Sequence, residues 1–284
     1  MPITKKKKTK FLTWIRAGIQ ILFFIFLPGA FNAAFAGVKY ILTQIGAQDE
    51  IKITSLIMVL IVLCIYTIIF GRFFCGFACA FGALGDWVRA LYVYICKKLK
   101  KKPFCFNEKI SNLLSYFKYL VLLTILIICF LGKYSKTKGY SQWDVFSMLH
   151  ALNFNLTQYT LGMVLLVVIL IGMALEERFF CKFVCPMGAV FSFLPVLPLF
   201  VLVRDRDNCI PNCKACSIKC PSNIGLPSAG KYEVSGDCFQ CQKCISTCPK
   251  SNVHTGIKVI KGNEIWFTII RAIILFALFV WLGI

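Results

Sequence analysis

Apolar residues fill five long stretches of the chain almost without interruption, each bounded by charged or turn-forming residues. Phe11 to Phe35 is the first; it exceeds the roughly 20 residues a spanning helix needs, and Pro28-Gly29 predicts a bend or an end near the outer face. It lacks a short apolar core followed by a cleavage site, so it reads as a retained helix and not as a signal peptide. Val38 to Glu50 turns polar and reads as a short outer loop along the interface. Ile51 to Phe70 predicts the second helix, stopping before Arg72, and Leu113 to Leu131 the third. Gly132 to Gln158 reads as a longer outer loop, with Trp143, Asp144 and His150 as solvated residues on it, contact with an extracytoplasmic acceptor being the alternative. Tyr159 to Leu175 predicts the fourth helix, ending at Glu176, Glu177 and Arg178. Ile265 to Ile284 predicts a fifth, with Arg271 in its early turns snorkelling to the interface or meeting an anionic headgroup or partner.

Composition agrees with this pattern: 58% of the 284 residues are hydrophobic and 27 are Phe, which places the chain among membrane proteins. The formal charge of +20 matters by position. Lys5 to Lys8 and Lys10 precede the first stretch, while Lys97, Lys98 and Lys100 to Lys102 follow the second. Basic flanks stay in the cytoplasm, so the N-terminus and the charged loop Arg72 to Lys109 are expected inside and the C-terminus outside. Lys133, Lys136 and Lys138 on the outer loop weaken that bias without reversing it. No basic face with interleaved aromatics exists away from these flanks, which excludes nucleic-acid binding.

Half of the 16 cysteines crowd into one segment, Cys209-x3-Cys213-x2-Cys216-x3-Cys220-Pro221 followed by Cys238-x2-Cys241-x2-Cys244-x3-Cys248-Pro249. Three thiolates two or three residues apart wrap one corner of an iron–sulfur cube, and the fourth, before Pro, serves the other cube. Cys209, Cys213 and Cys216 therefore pair with Cys248 at a first [4Fe–4S] cluster, and Cys238, Cys241 and Cys244 with Cys220 at a second. Two Zn(Cys)4 sites are the rival, but zinc knuckles come as separate pairs, not rows of four. The segment resembles a bacterial-type ferredoxin, departing only in Cys209-x3-Cys213, where two intervening residues are usual.

Arg72-Phe73-Phe74-Cys75-Gly76-Phe77-Ala78-Cys79-Ala80 recurs as Arg178-Phe179-Phe180-Cys181-Lys182-Phe183-Val184-Cys185-Pro186, an offset of 106 residues from Cys75 to Cys181. Each copy follows a helix descending to the same face, so two helix pairs are expected to form a pseudo-symmetric unit. Cys75, Cys79, Cys181 and Cys185 would meet there, since cysteines four apart share one side of a helical turn. Four thiolates suit one iron–sulfur cluster or a soft metal, Cu(I) or zinc; the bland alternative is packing, as for Cys64 and Cys129 inside their helices. Cys96 and Cys105, beside the lysine run, read as spectators.

Taken together, these motifs resemble the NapH/NosR-type membrane ferredoxin family over roughly Phe11 to Val259. The resemblance implies four core helices carrying two CxxxCP motifs at the cytoplasmic face, with a C-terminal segment holding two [4Fe–4S] clusters. It also implies electron conduction between a quinol pool or cytoplasmic donor and a membrane or extracytoplasmic partner. Ala80 in place of Pro, and the fifth helix, depart from the family pattern.

The expected architecture is a membrane α-helical bundle of four core transmembrane helices with a fifth C-terminal one, plus a small α+β ferredoxin domain. Residues 1–203 form the membrane domain, 204–262 the cytoplasmic ferredoxin domain and 263–284 the last helix. No bond-making active site is expected; the chain reads as an electron-transfer subunit of an oxidoreductase system in the cytoplasmic membrane. Donors that fit are a ferredoxin, flavodoxin or flavoprotein steered by the lysines, or quinone; the acceptor is a membrane or extracytoplasmic partner, flavin-bearing by the family resemblance. Homodimerisation stays open. Rival readings are a metal-handling or assembly protein that reduces copper at the membrane cysteines, and a redox-sensing anchor. His150 and His254 fall on opposite sides of the membrane and cannot make a bis-His haem site, and no dinucleotide fingerprint is present. Asp86-Trp87 reads as a helix-interface pair, with a quinone or cluster contact as the alternative.

Overall fold

The computed structural model describes residues 5–134, 141–153, 159–197, 200–205, 207–224, 231–257, 260–261 and 263–284. It is mostly helical, with one small sheet. In chain order the elements are α1 (Lys5–Phe26), α2 (Ala30–Ala47), α3 (Ser55–Phe70), a π-helical turn (Phe74–Ala78) and α4 (Ala80–Lys98). Then come α5 (Glu108–Leu114), α6 (Phe117–Phe130), α7 (Gln142–His150), α8 (Thr160–Leu175), a second π-helical turn (Phe180–Val184) and α9 (Pro186–Phe193). The remainder is β1 (Phe200–Arg204), α10 (Ala215–Ile218), β2 (Tyr232–Glu233), α11 (Lys243–Thr247), β3 (Val253–Ile257), β4 (Ile260–Lys261) and α12 (Glu264–Trp281).

Among the described residues two helical stretches are long and apolar enough to cross a membrane, Glu108–Phe130 across α5 and α6, and α12. The bent pair α1–α2 makes a third when counted as one span. α3 and α8, at 16 residues each, are shorter apolar helices that reach about 24 Å at 1.5 Å per residue. Leu120, Leu123, Ile127 and Phe130 on α6, and Val164, Val168 and Ile171 on α8, remain exposed. In an aqueous protein such a surface would aggregate; against lipid it is solvated.

Three expectations change. Pro28-Gly29 does bend the first stretch, by 61°, but the helix resumes as α2 through most of the polar stretch taken for an outer loop. Polar Lys39, Thr43 and Gln44 hid it, while its neighbour-facing side packs on α3 and α6 so closely that a Cβ at Gly46 would overlap the Phe130 carbonyl. The charged loop Arg72 to Lys109 contains α4, which buries Ala80, Phe81, Ala83 and Gly85 and places Lys97 and Lys98 at its C-terminal end, where they favour the dipole. The longer outer loop contains α7, capped by the Ser141 hydroxyl accepting from the Asp144 N–H at 3.3 Å. α7 buries Val145 and Phe146, and Trp143 is half-buried against Phe31 and Phe180, so these are packing residues. His150 bonds to the Phe24 carbonyl at 3.0 Å. Lys136 and Lys138 lie outside the described residues.

Four strands form an antiparallel sheet in the order β2-β1-β3-β4, with Leu202 opposite Thr255 and Val203 opposite Tyr232. Leu202 and Val253 bury beside Cys216, Cys238, Cys244 and Cys248 in a small second core. Phe239 and Cys241 belong instead to the large helical core, so the cysteine segment is seated on the helices.

Candidate functional site

α3 and α8 each deliver the chain to one copy of the Arg-Phe-Phe-Cys block. Both copies close as π-helical turns, with the Cys79 N–H donating to the Phe74 carbonyl at 2.9 Å and the Cys185 N–H to the Phe180 carbonyl at 2.8 Å. These bonds span five residues instead of four, so the α-helical spacing expected for the cysteine pairs is widened; such bulges recur at functional sites. The second cysteine of each pair is extended and stands at the N-cap of the next helix, Cys79 before α4 and Cys185 before α9. The Gly188 N–H donates to Cys185 Sγ at 3.2 Å, and a helix N-terminus favours an anionic sulfur. Pro186 begins α9 and Ala80 begins α4 at the same repeat position, where either residue starts a helix well. The departure from CxxxCP thus leaves the local fold of the first copy intact.

Cys75, Cys79, Cys181 and Cys185 are all buried and lie within electrostatic reach of one another. Phe81 joins this end of the core to α7, with its ring 4.7 Å from Phe180 and 4.5 Å from Phe146. The repeated arginines cross over between the halves. Arg178, held at a left-handed φ of +59°, donates to the carbonyls of Cys75 and Gly76 and to the Asp86 carboxylate. Arg16 and Gln20 donate to the same carboxylate. Asp86 is therefore a structural knot between α1 and both repeats, the helix-interface reading of Asp86-Trp87. Arg72 donates to the Gly188 carbonyl and the Ser192 hydroxyl. Ser192 holds the repeat position of Asp86, and the missing carboxylate comes from Asp237, which lies 2.9 Å from Ser192 Oγ and 2.8 Å from Lys118 Nζ.

Asp237 adjoins Cys238, so this second knot ties the cysteine segment to the repeat. The contact is intimate: a Cβ at Gly76 would overlap the Phe239 carbonyl, and Arg16 donates to the Cys241 carbonyl at 3.3 Å. The Arg72 guanidinium stands 5.7 Å from the Phe239 ring centroid. Lys182, the counterpart of Gly76, donates to Ser111 Oγ at 2.6 Å and lies within electrostatic reach of Cys220. Burial alone would raise the Asp237 carboxyl, but the hydrogen bond and charge of Lys118, with Arg72 behind it, hold it below its ordinary value. A depressed carboxyl stabilises the fold at neutral pH and loses that contribution as pH falls through its folded value. Asp237 is half-exposed, so the expected contribution is under about 1 kcal/mol. The melting temperature of the natural chain should drop more steeply below about pH 4 than that of Asp237→Asn; parallel acid limbs would contradict this.

The eight clustered cysteines fall into two neighbourhoods. Cys209, Cys213, Cys216 and Cys248 line one small cavity with Arg204 and Asn252. Donors already point at its sulfurs: Arg204 Nε at 3.3 Å and Asn252 Nδ2 at 3.4 Å from Cys209 Sγ, and the Asn252 N–H at 3.3 Å from Cys248 Sγ. The Arg204 hydrogen bond holds the Cys209 thiol below its usual value. Cys220, Cys238, Cys241 and Cys244 form a second set within electrostatic reach of one another, and Cys244 also senses Cys216 of the first. Among the described residues no three His, Cys, Asp or Glu side chains gather at the spacing of ligands to a single metal ion. Four thiols around an open cavity, with N–H donors aimed at their sulfurs, fit an iron–sulfur core. Cys96 is buried in α4, and Cys105 accepts from Arg89 at 3.0 Å. Arg16, Lys118, Asp237 and Phe239 escape a sequence reading because their partners are distant in the chain; the repeat offset, applied to Arg72 and Arg178, is the signal for the arginines.

Comparison with known proteins gives the chain's relatives. Residues 52–103 and 159–200, which include the first copy of the block and all of the second, match the family described as a 4Fe-4S binding domain. An uncharacterized protein of Methanocaldococcus jannaschii is 31% identical over 245 residues, 86% of this chain and 83% of that one. The ferredoxin-type protein NapH of Haemophilus influenzae is 29% identical over 68% of this chain and 65% of its own length. The regulatory protein NosR of Stutzerimonas stutzeri is 26% identical over 85% of this chain and 33% of its own. No solved structure matches. The chain belongs to the NapH/NosR-type ferredoxin family of membrane iron–sulfur proteins.

Proposed function

We propose that this chain relays electrons at the cytoplasmic membrane through three cysteine sites. The observation that carries the proposal is the seating of the Cys238–Cys241 loop on the Cys75–Gly76 turn, backbone against backbone. Cys209, Cys213, Cys216 and Cys248 would hold a distal [4Fe–4S] cluster, and Cys238, Cys241, Cys244 and Cys220 a proximal one. Cys75, Cys79, Cys181 and Cys185 would hold a third cluster or metal. Bound there, such groups supply one-electron carriers. The chain's own residues support this order: Cys244 lies in electrostatic reach of Cys216 between the first two sites, and Arg178, in electrostatic reach of both Cys181 and Cys241, stands between the second and third.

In this reading residues 1–203 form a membrane domain with four core helices, 204–262 a cytoplasmic ferredoxin domain and 263–284 a last spanning helix. The basic flanks support a cytoplasmic N-terminus and ferredoxin domain. A ferredoxin, flavodoxin, flavoprotein or quinone would serve as donor, and a membrane or extracytoplasmic partner, flavin-bearing in one version, as acceptor. What the relatives' names state, ferredoxin-type and regulatory, suits a redox subunit that works with partners.

The test is anaerobic iron, sulfide and metal analysis with EPR on the natural chain and a Cys75→Ser/Cys181→Ser variant. A loss of about four irons with both ferredoxin signals kept is expected. About eight irons in both proteins would remove the third cluster. Copper or zinc lost in place of iron would turn the reading to metal handling.

A further inference from the structure

Arg271 of α12 is among the largest fully buried side chains of the protein, at 1% exposure, and not a snorkelling residue. Its Nε donates to the Phe267 carbonyl at 3.1 Å, and its guanidinium stands 4.9 Å from the Phe73 ring centroid. The Tyr66 hydroxyl donates to its backbone carbonyl at 2.9 Å. Both terminal nitrogens, Nη1 and Nη2, have no hydrogen-bond partner. The charged or titratable groups whose electrostatic influence on it is resolved are Tyr66 and Cys238. A buried guanidinium with two unmet donors is among the costliest arrangements a fold can hold, and one left so is expected to have an anion beside it.

The face that carries Arg271 identifies that anion. Thr268, one turn earlier, is on the same side of α12 and accepts from Gln242 Nε2 at 2.7 Å. Gln242 lies between Cys241 and Cys244, so this side of the helix presses on the loop that bears the second cysteine set. Arg72 and Arg178, the other two buried arginines near this seam, already face Asp237 and Asp86. Arg271 is the one of the three that these carboxylates leave uncompensated.

We infer that Arg271 is the buried counter-charge of the site at Cys238, donating from Nη1 and Nη2 to the anionic sulfur of the group held there and keeping its reduction potential high. The inference rests on the proposed [4Fe–4S] occupancy of that site. Reduction adds one electron and one unit of negative charge, and a fixed positive charge nearby in a low dielectric favours the reduced form. Arg271 thus acts as a positioning residue that makes the proximal site the better electron acceptor.

The test is a dithionite titration followed by EPR on the full chain, Arg271→Gln and Arg271→Lys. Arg271→Gln is expected to move one of the two ferredoxin signals to lower potential and leave the other in place, with Arg271→Lys between it and the natural chain. Unchanged potentials in an Arg271→Gln protein carrying both clusters would overturn the inference and leave the proposed function standing. A natural chain that assembles no ferredoxin clusters would overturn the reading on which the inference rests. Where Arg271→Gln assembles too little cluster to titrate, thermal melting in a Cys238→Ser background decides. With the anion gone, Arg271→Gln should raise the melting temperature there, and a fall or no change would overturn the inference.

Discussion

Replacing Arg178 by methionine is expected to cost about 3 kcal/mol or more of stability, because it breaks a buried ion pair and leaves a charge behind. Asp86 loses the donors Nε and Nη2 of Arg178, and the carbonyls of Cys75 and Gly76 lose theirs. Arg16 and Gln20 continue to donate to Asp86, which holds the cost toward the lower end of the range for a stranded buried charge. The two carbonyls add to it, since each buried acceptor left unmet costs about 1–3 kcal/mol. Arg178→Met/Asp86→Leu removes both members of the pair and should recover part of the loss, so the double change is less damaging than the two single changes together. Thermal melting of the four proteins in the same detergent measures this coupling. Strict additivity, or a loss below about 1 kcal/mol for Arg178→Met alone, would mean that Asp86 is solvated and not a knot. Cysteine accessibility gives an independent check: with the Cys75 turn loosened, a thiol-reactive probe should label the membrane cysteines of Arg178→Met and spare those of the natural chain.

Much of the site was legible because its residues recur in a pattern. The two rows of four cysteines suggest a pairing through their spacing, and Cys209, Cys213, Cys216 and Cys248 come together at one cavity. The repeat at Arg72 and Arg178 likewise foretells two equivalent turns. Elements whose fold is set by neighbours were not legible. α2 looks polar along the chain, and only the close approach of Gly46 to α6 explains why it is helical there. α7 sits between residues too polar to suggest burial, and its aromatics find partners on α1, α2 and the two repeats through contacts remote in sequence. The π turns also escape prediction, since one extra residue per turn leaves the apolar pattern of Phe73, Phe74 and Phe77 unaltered. Sequence symmetry, finally, conceals how the halves differ. Asp86 and Ser192 occupy matching positions, and it takes the third dimension to see Asp237 arrive from the cysteine segment to supply the second carboxylate.

That asymmetry leads to the second large effect, at Gly76. The first repeat has glycine where the second has Lys182, and the Phe239 carbonyl lies so close to Gly76 that an added Cβ would overlap it. Backbone carbonyl atoms, unlike a flexible side chain, have little room to yield. Gly76→Ala should therefore lift the Cys238–Cys241 loop off the turn at a cost of about 1–3 kcal/mol, the usual range for overpacking. Hydrogen exchange reads this locally: amide protection in residues 238–244 should fall by roughly 5- to 150-fold while α3 and α8 keep theirs. Gly76→Lys, which copies the second repeat into the first, should do at least as much damage. Lys182→Gly touches the partner position and should release Ser111 while leaving the seat of Phe239 closed. Equal exchange in the Gly76→Ala and natural chains would mean that the loop is not held against the turn. The proposed sequence of sites would then lose its central join. If protection falls as expected while the iron content matches that of the natural chain, the variant separates assembly of the cysteine segment from its attachment to the Cys75 turn. Any loss of electron delivery in that protein is then assigned to the seam between Gly76 and Phe239.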